Sequence, residues 1–238
     1  ATGYGTVYFV DEMLNENGLT LDGKTMVVSG SGNVSTYAME KAMQLGANVV
    51  ACSDSDGYIY DKDGIDLDLV KELKEFGNKR IWEYTKERPE AEYHADCSAI
   101  WSIPCDIALP CATQNEIDEI AAHMLIANGV KAVGEGANMP CTIEAIEIFQ
   151  EHNVLFAPAK AANAGGVAVS AMEMSQNSQR LSWSAEQVDE HLKEVMQNIY
   201  NDCKKAADEF GKPGNLVMGA NIAGFLRVAG AMVAHGIR

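Results

Sequence analysis

The sequence predicts an α/β protein: a doubly wound, Rossmann-type, mostly parallel sheet followed by a helical C-terminal tail. Three observations predict it. Residues 25–56 read as strand, glycine turn, helix and second strand within about 30 residues. From residue 106 onward, short apolar runs alternate with helical patterns. From residue 184 the strands stop and amphipathic helical spacing takes over.

Taken in order, residues 4–15 have helical spacing, with Gly18 beyond the end. Met26-Val27-Val28 is a β-branched, apolar strand that stops at Ser29-Gly30-Ser31-Gly32-Asn33-Val34-Ser35. Ala38, Ala42 and Leu45 then fall at i, i+4 and i+7, and Gly46 closes that helix. Val49-Val50-Ala51-Cys52 is the second strand, ending at Ser53-Asp54-Ser55-Asp56. Gly57-Tyr58-Ile59-Tyr60-Asp61 follows, then a charged helix over about 66–76, then a polar, Pro-interrupted stretch over 77–100 read as loop with one short helix. Residues 106–109 form a short strand running into Pro110 and Cys111. A helix over 116–127, capped by Asn115, leads to a strand at 131–133. A helix over 142–151, capped by Thr142, leads to a strand at 154–156. Ser184-Ala185-Glu186-Gln187 is a capping box opening a long helix with Val188, Leu192, Val195, Ile199 and Cys203 as its apolar stripe. A last apolar helix covers about 221–234. The resulting division is an entry helix over 1–20, a dinucleotide-type domain over 21–183, and C-terminal helices over 184–238 that pack on the domain or toward a partner domain.

Bulk composition narrows the function. The 238 residues are 47% hydrophobic and 22% charged, an ordinary globular balance. A net charge of −16 argues against nucleic acid and anionic membrane as partners, since both need clustered Lys and Arg. Because no run of 18 consecutive apolar residues occurs, no transmembrane helix is expected. The start, Ala1-Thr2-Gly3-Tyr4-Gly5, lacks the pattern of a signal peptide and reads as a chain beginning mid-protein. Six cysteines, at 52, 97, 105, 111, 141 and 203, show no CxxC and no His at zinc-ligand spacing, so they read as structural thiols in a reducing cytoplasm.

The strand ends carry the chemistry. In open parallel sheets a ligand lies outside the carboxyl ends of the strands. Those ends are Ser29-Gly30-Ser31-Gly32, Ser53-Asp54-Ser55-Asp56, Cys111-Ala112-Thr113-Gln114-Asn115, Gly134-Glu135-Gly136-Ala137-Asn138 and the Gly-rich run beginning at Lys160. All are small or polar and suit backbone contact with a cofactor. Gly30 permits a tight turn, Gly32 permits backbone approach to a pyrophosphate, and the N–H groups at Asn33 and Val34 open the helix that attracts the anion. Ser35 replaces the usual third Gly or Ala. Nucleophile-elbow, P-loop and metal-cluster patterns are absent from the sequence.

Longer strings add a resemblance. ATGYG at 1–5, GSGNVS at 30–35, DIALPCATQNE at 106–116, GVKAVGEGANMP at 129–140, FAPAKAANAGGVAVS at 156–170, EMSQNSQRLSW at 173–183 and GANIAGF at 219–225 closely resemble the hexameric, NADP-type glutamate dehydrogenases. The likeness covers essentially the whole chain but only the second half of such an enzyme, its coenzyme-binding domain. It implies that no catalytic residue lies in this stretch, because the family's catalytic Lys and Asp belong to the first half. By the same resemblance, Thr2 and Asn33 match residues contacting the cofactor, Thr113 and Asn138 residues near the nicotinamide ribose, and Asn163 one near the carboxamide. Ser170 matches a serine reaching the side-chain carboxylate of glutamate. The activity implied is interconversion of L-glutamate with 2-oxoglutarate and ammonia, by a cytoplasmic homo-hexamer when full length.

Coenzyme choice draws opposing signals. An acid ending the second strand usually bonds the ribose 2′-OH, so Asp54 and Asp56 argue for NAD. Ser31 and Ser55 match positions where NADP-type members carry serine, and Lys74, Lys79 and Arg80 lie where such members meet the 2′-phosphate with bases. Asp56 departs from that pattern. The balance favours NADP, with NAD or dual use left open. A related dehydrogenase of branched or aromatic amino acids and a non-catalytic nucleotide-sensing module are the alternative functions.

Overall fold

The computed structural model describes residues 1–77 and 79–236. Seven strands form one sheet in the order β4-β3-β2-β1-β5-β6-β7. They are β1 (Thr25–Val28), β2 (Asn48–Asp54), β3 (Gly57–Tyr60), β4 (Glu92–His94), β5 (Ile107–Leu109), β6 (Ala132–Gly134) and β7 (Leu155–Ala157). β2, β1, β5, β6 and β7 run parallel, and β3 and β4 add an antiparallel edge. The doubly wound α/β architecture is therefore present, with one departure: β4 lies within the region 77–100 read as loop with one short helix, and pairs with β3. β3 is only four residues long, and β4 is three residues and half-exposed, so neither carries the alternation that marks a strand.

The parallel strands are buried on both faces, which is why they read as continuous apolar runs. On β1, Met26 and Val28 join one core and Val27 the other; on β5, Ile107 and Leu109 divide from Ala108 in the same way. The first core is covered by α1 (Thr2–Glu16), α2 (Asn33–Gln44) and α9 (Ala185–Glu209). The second is covered by α5 (Glu119–Ala127), α6 (Ile143–Glu151) and the 3-10 segment Cys97–Ser102, which buries Trp101. α3 (Leu67–Lys71) continues as a single π turn, Glu72–Phe76. α4 (Tyr84–Glu87), α7 (Ala159–Ala162), α8 (Gly165–Gln179) and α10 (Leu216–His235) complete the chain.

Several local expectations need correction. Asn115 does not cap α5; it lies at φ 54, and the Asp118 side chain caps instead by accepting from Ala121 N at 2.9 Å. Thr142 caps α6 as expected, accepting from Ala145 N. The capping box at Ser184 and Gln187 is complete. The buried stripe of α9 is rotated from the expected one: Leu192 and Cys203 are buried together with Met196, Tyr200 and Ala207, while Val188, Val195 and Ile199 are only half-buried. α10 starts five residues before the expected start and is long and apolar enough, by length and composition, to cross a membrane, with a mean hydropathy of 1.6. Counting consecutive apolar residues missed this because Asn221 and Arg227 interrupt the run. Only 17% of that apolar window is buried here. All six cysteines are free, five of them buried.

α1 is central to the packing. Val7, Phe9 and Val10 are fully buried. Tyr8 Oη donates to Asp189 of α9 at 2.8 Å, and the buried Lys41 of α2 reaches the same carboxylate at 3.0 Å. Lys41 Nζ also lies 4.2 Å from the centre of the Tyr4 ring, a cation–π contact shielded from water. Farther along, Gln197 and Lys204 of α9 bond Glu12 and Glu16.

Candidate functional site: a cleft at the strand ends

The topology reverses between β1 and β5, because β2 lies on one side of β1 and β5 on the other. At such a switch point the connections leave in opposite directions and open a crevice. The turn after β1 enters it. Gly30 takes φ 85, where a side chain is strained, and a Cβ there would press on Ala112. Its N–H donates to the Ser53 hydroxyl at 2.8 Å, tying the turn to the end of β2. Ser29 Oγ accepts from Cys111 N at 2.8 Å, tying the same turn to β5. Ser31 is buried beside them. Gly32 is the N-cap of α2 and supplies no capping side chain, so no side chain occupies the first-turn N–H groups at Asn33 and Val34. A Cβ built on Gly32 would meet nothing within 4 Å. The backbone therefore presents an open, positively polarised cradle of the kind that accepts a diphosphate.

From this turn a cleft of about 690 Å³ runs along the ends of β5, β6 and β7. Among the residues singled out from sequence, Thr2, Val34, Ala112, Thr113, Asn138, Asn163 and Ser170 all line it. Asn163 Nδ2 donates to Asn138 Oδ1 at 2.8 Å, coupling the loops after β6 and β7. Cys111, Gln114, Gly136 and Ala137, named only within the strand-end strings, and Gly166 and Val167 line the same cleft without having been singled out. Two of them are glycines in tight places. A Cβ on Gly136 would lie 2.5 Å from Cys111 Sγ, and one on Gly166 would lie 2.3 Å from Thr2 Oγ1, so a side chain at either position would displace its cleft-lining neighbour.

Two acids that were not selected as site residues hold the cleft's loops in place. Glu116 turns back from the start of α5, and its Oε1 accepts from Ala112 N at 3.0 Å and Thr113 N at 3.2 Å. That turn explains why the helix begins later than expected. Glu135 is 3% exposed; its Oε1 accepts from Cys141 N and its Oε2 from Ala159 N at 2.7 Å. Burial pushes both carboxyls above the usual carboxylate range, opposed by these N–H bonds and, for Glu116, by the Ser29 side chain.

The end of β2 forms a separate, charged wall. Asp54 Oδ1 accepts from Asp56 N, and Oδ2 accepts from Ile81 N at 2.9 Å and pairs with Lys74 at 3.4 Å. Burial raises its carboxyl, but the N–H bonds from Ile81 and Asp56 and the Lys74 charge outweigh that and hold it below the ordinary range. Arg80 donates to Ser55 Oγ at 2.7 Å and pairs with Asp56 at 3.1 Å. Asp54, Ser55 and Lys74 are thus brought together at this wall, apart from the residues lining the cleft. Among the described residues, no group of three or more His, Cys, Asp or Glu could hold a metal ion.

Comparisons with known proteins agree with this architecture. The sequence profile of the Glutamate/Leucine/Phenylalanine/Valine dehydrogenase family matches residues 1–236. The NADP-specific glutamate dehydrogenase of Escherichia coli is 53% identical over 240 residues, covering 100% of this chain and 53% of that protein. The NAD(P)-specific glutamate dehydrogenase of Xylanibacter ruminicola is 54% identical over 240 residues, covering 100% of this chain and 54% of its own length. The crystal structure of Plasmodium falciparum glutamate dehydrogenase superposes with a TM-score of 0.96 at 46% identity, covering 100% of this chain and 52% of that one. The chain spans about half the length of the curated relatives it matches. By the extent of the family match, this chain belongs to the Glutamate/Leucine/Phenylalanine/Valine dehydrogenase family.

Proposed function

We propose that this chain is the coenzyme-binding domain of a glutamate dehydrogenase, which interconverts L-glutamate with 2-oxoglutarate and ammonia using NADP(H). The observation that carries the reading is the uncapped start of α2, where the Gly32 Cβ direction is open, set at the switch point beside a cleft that gathers the selected residues. The donor set fits a dinucleotide: backbone N–H groups for the diphosphate, Thr113 and Asn138 for the adjoining ribose, and Asn163 for the carboxamide. The nicotinamide supplies hydride transfer when bound, and the chain's own residues grip and orient it. Ser170 would meet the side-chain carboxylate of glutamate. Its hydroxyl on the cleft favours that substrate over branched or aromatic amino acids, which call for an apolar lining.

NADP is favoured because Asp54 has its oxygens engaged by Asp56, Ile81 and Lys74, which leaves little capacity for a ribose 2′-OH. Ser55 and Arg80 stay exposed and can meet a 2′-phosphate. Asp56 beside them, and the NAD(P)-specific name of the Xylanibacter relative, keep NAD as the second reading. The exposed apolar residues of α8 and α10, among them Val167, Met174, Phe225, Val228 and Met232, supply a face for the remaining half of the relatives' length, where the acid–base groups would reside. Domain closure over the cleft and a cytoplasmic homo-hexamer belong to the same proposal.

Parallel fluorescence titrations with NADPH and NADH test it. The chain alone is expected to bind NADPH and to show no glutamate oxidation. Absence of binding by either coenzyme, or turnover by the chain alone, would refute the assignment.

A further inference from the structure

The floor of the cleft carries charge that binding geometry alone does not require. Glu116 and Glu135 bond backbone N–H groups, and Glu116 also the Ser29 side chain; among the described residues neither joins an ion pair. Both oxygens of Glu135 accept from N–H donors, the arrangement of an ionised carboxylate. The backbone atoms they hold belong to, or adjoin, the loops that line the cleft: Ala112 and Thr113 line it directly, and Glu135 precedes Gly136, which also lines it. Cys111 and Cys141 beside them are buried thiols, pushed by burial toward the neutral form. The loops at the nicotinamide end of the cleft are therefore held by two carboxylates that join no ion pair among the described residues, whereas the acids ending β2 are each paired with Lys74 or Arg80.

We infer that Glu116 and Glu135 form an unneutralised acidic floor that favours the oxidised, cationic nicotinamide ring over the reduced, neutral one. This rests on the reading of the cleft as the nicotinamide site. The two redox forms have nearly the same shape and the same diphosphate, ribose and carboxamide contacts. A floor that acted only by shaping the loops would change both affinities together. A floor that acts through charge changes their ratio, because Coulomb attraction at short range in a half-buried site greatly exceeds that in water.

Glu116→Gln is the cleaner variant, since one oxygen still accepts from Ala112 and Thr113, and the new amide can donate to Ser29 once that hydroxyl rotates. In Glu135→Gln one N–H would instead face an amide NH2, so it serves as the second, independent variant. Glu116→Asp keeps the charge while shortening the reach. Glu151→Gln, at the far end of α6, is the control for net charge.

Dissociation constants for NADP⁺, NADPH and 2′-phospho-ADP-ribose, which lacks the nicotinamide, are to be measured at one pH and ionic strength. Glu116→Gln is expected to weaken NADP⁺ relative to NADPH by about tenfold and to leave 2′-phospho-ADP-ribose unchanged. Glu135→Gln should move the ratio in the same direction, while Glu116→Asp and Glu151→Gln should leave it near the parent value. An equal loss for both redox forms in Glu116→Gln and Glu135→Gln, or a ratio that follows net charge in Glu151→Gln, would overturn the inference. Failure of the parent chain to bind any of the three ligands would instead overturn the coenzyme reading itself.

Discussion

At the end of β2 the ligand wall is charged and partly exposed, with Lys74, Arg80, Asp54 and Asp56 exchanging ion pairs. At the ends of β5 to β7 the wall is amide, hydroxyl and backbone, its loops held by the half-buried Glu116 and the buried Glu135. On the proposed coenzyme reading, the two sides discriminate by different physics. Exposed charges act over several ångströms and are screened by salt, whereas fixed amides and packed glycines act only on contact. The turn at Gly30 and Gly32 lies between them and touches both, through Ser53 on one side and Cys111 on the other.

Breaking the shared turn should have the largest effect. In Gly32→Val the branched side chain enters open space, so the fold should survive while coenzyme affinity falls by roughly a hundredfold or more through lost backbone approach to the diphosphate. Titration of a variant with parental circular dichroism checks this, and unchanged affinity would place the diphosphate elsewhere. On the amide side, Asn163→Ala removes the bond to Asn138 and should cost about tenfold in NADPH affinity. It should spare 2′-phospho-ADP-ribose; equal loss for both ligands would mean that Asn163 merely supports the loop. On the charged side, Lys74→Ala should lower the preference for NADPH over NADH by about tenfold at low salt, and Asp56→Ser should raise it. Both effects should shrink on adding salt, and salt-independent changes would contradict a charge-based wall.

The smallest expected effect separates the two sides by pH. Asp54 is held below its ordinary 3.8, so its contribution to stability is complete above that value and is lost as pH falls through its lower folded value. Glu116 and Glu135 are held above their ordinary 4.5, so they cost stability at neutral pH. That cost is relieved as pH falls through their folded values toward 4.5. Urea midpoints at stepped pH should therefore show a smaller upper inflection in Glu116→Gln, with the remainder due to Glu135, and keep it whole in Asp54→Asn. The reverse pattern would show that the signs have been assigned to the wrong side.

How legible this was in the sequence depends on the range of the forces involved. The turn at 29–35 and the cap at Thr142 were readable because each is settled by residues three or four apart. Asn115 misled because it is a good capping type, yet the neighbouring Glu116 is drawn back to Ala112 and Thr113, and Asp118 takes the cap. That competition is local, between two side chains within reach of the same turn, and the sequence does not say which wins; Glu135 was hidden instead by distance, since its partners Cys141 and Ala159 lie on two different connections. Ser170 came only through resemblance, since nothing local distinguishes it from any small helical residue. The engagement of Asp54 by Ile81, 27 residues away, had no local signature at all.

The dependence of α1 on α9 has a consequence for synthesis. Tyr8 and its partner Asp189 are 181 residues apart, and Glu16 and Lys204 are 188 apart. At ribosomal rates that interval is roughly 10–40 s, during which the apolar side of the first helix has no permanent cover. α1 can dock on α2 and β1 as these emerge, but it cannot be sealed until α9 has followed. Nascent chains stalled before residue 189 should thus be bound by chaperones and cut by protease within α1, and those released after α9 should be protected. The closing of this domain is written into its order of translation.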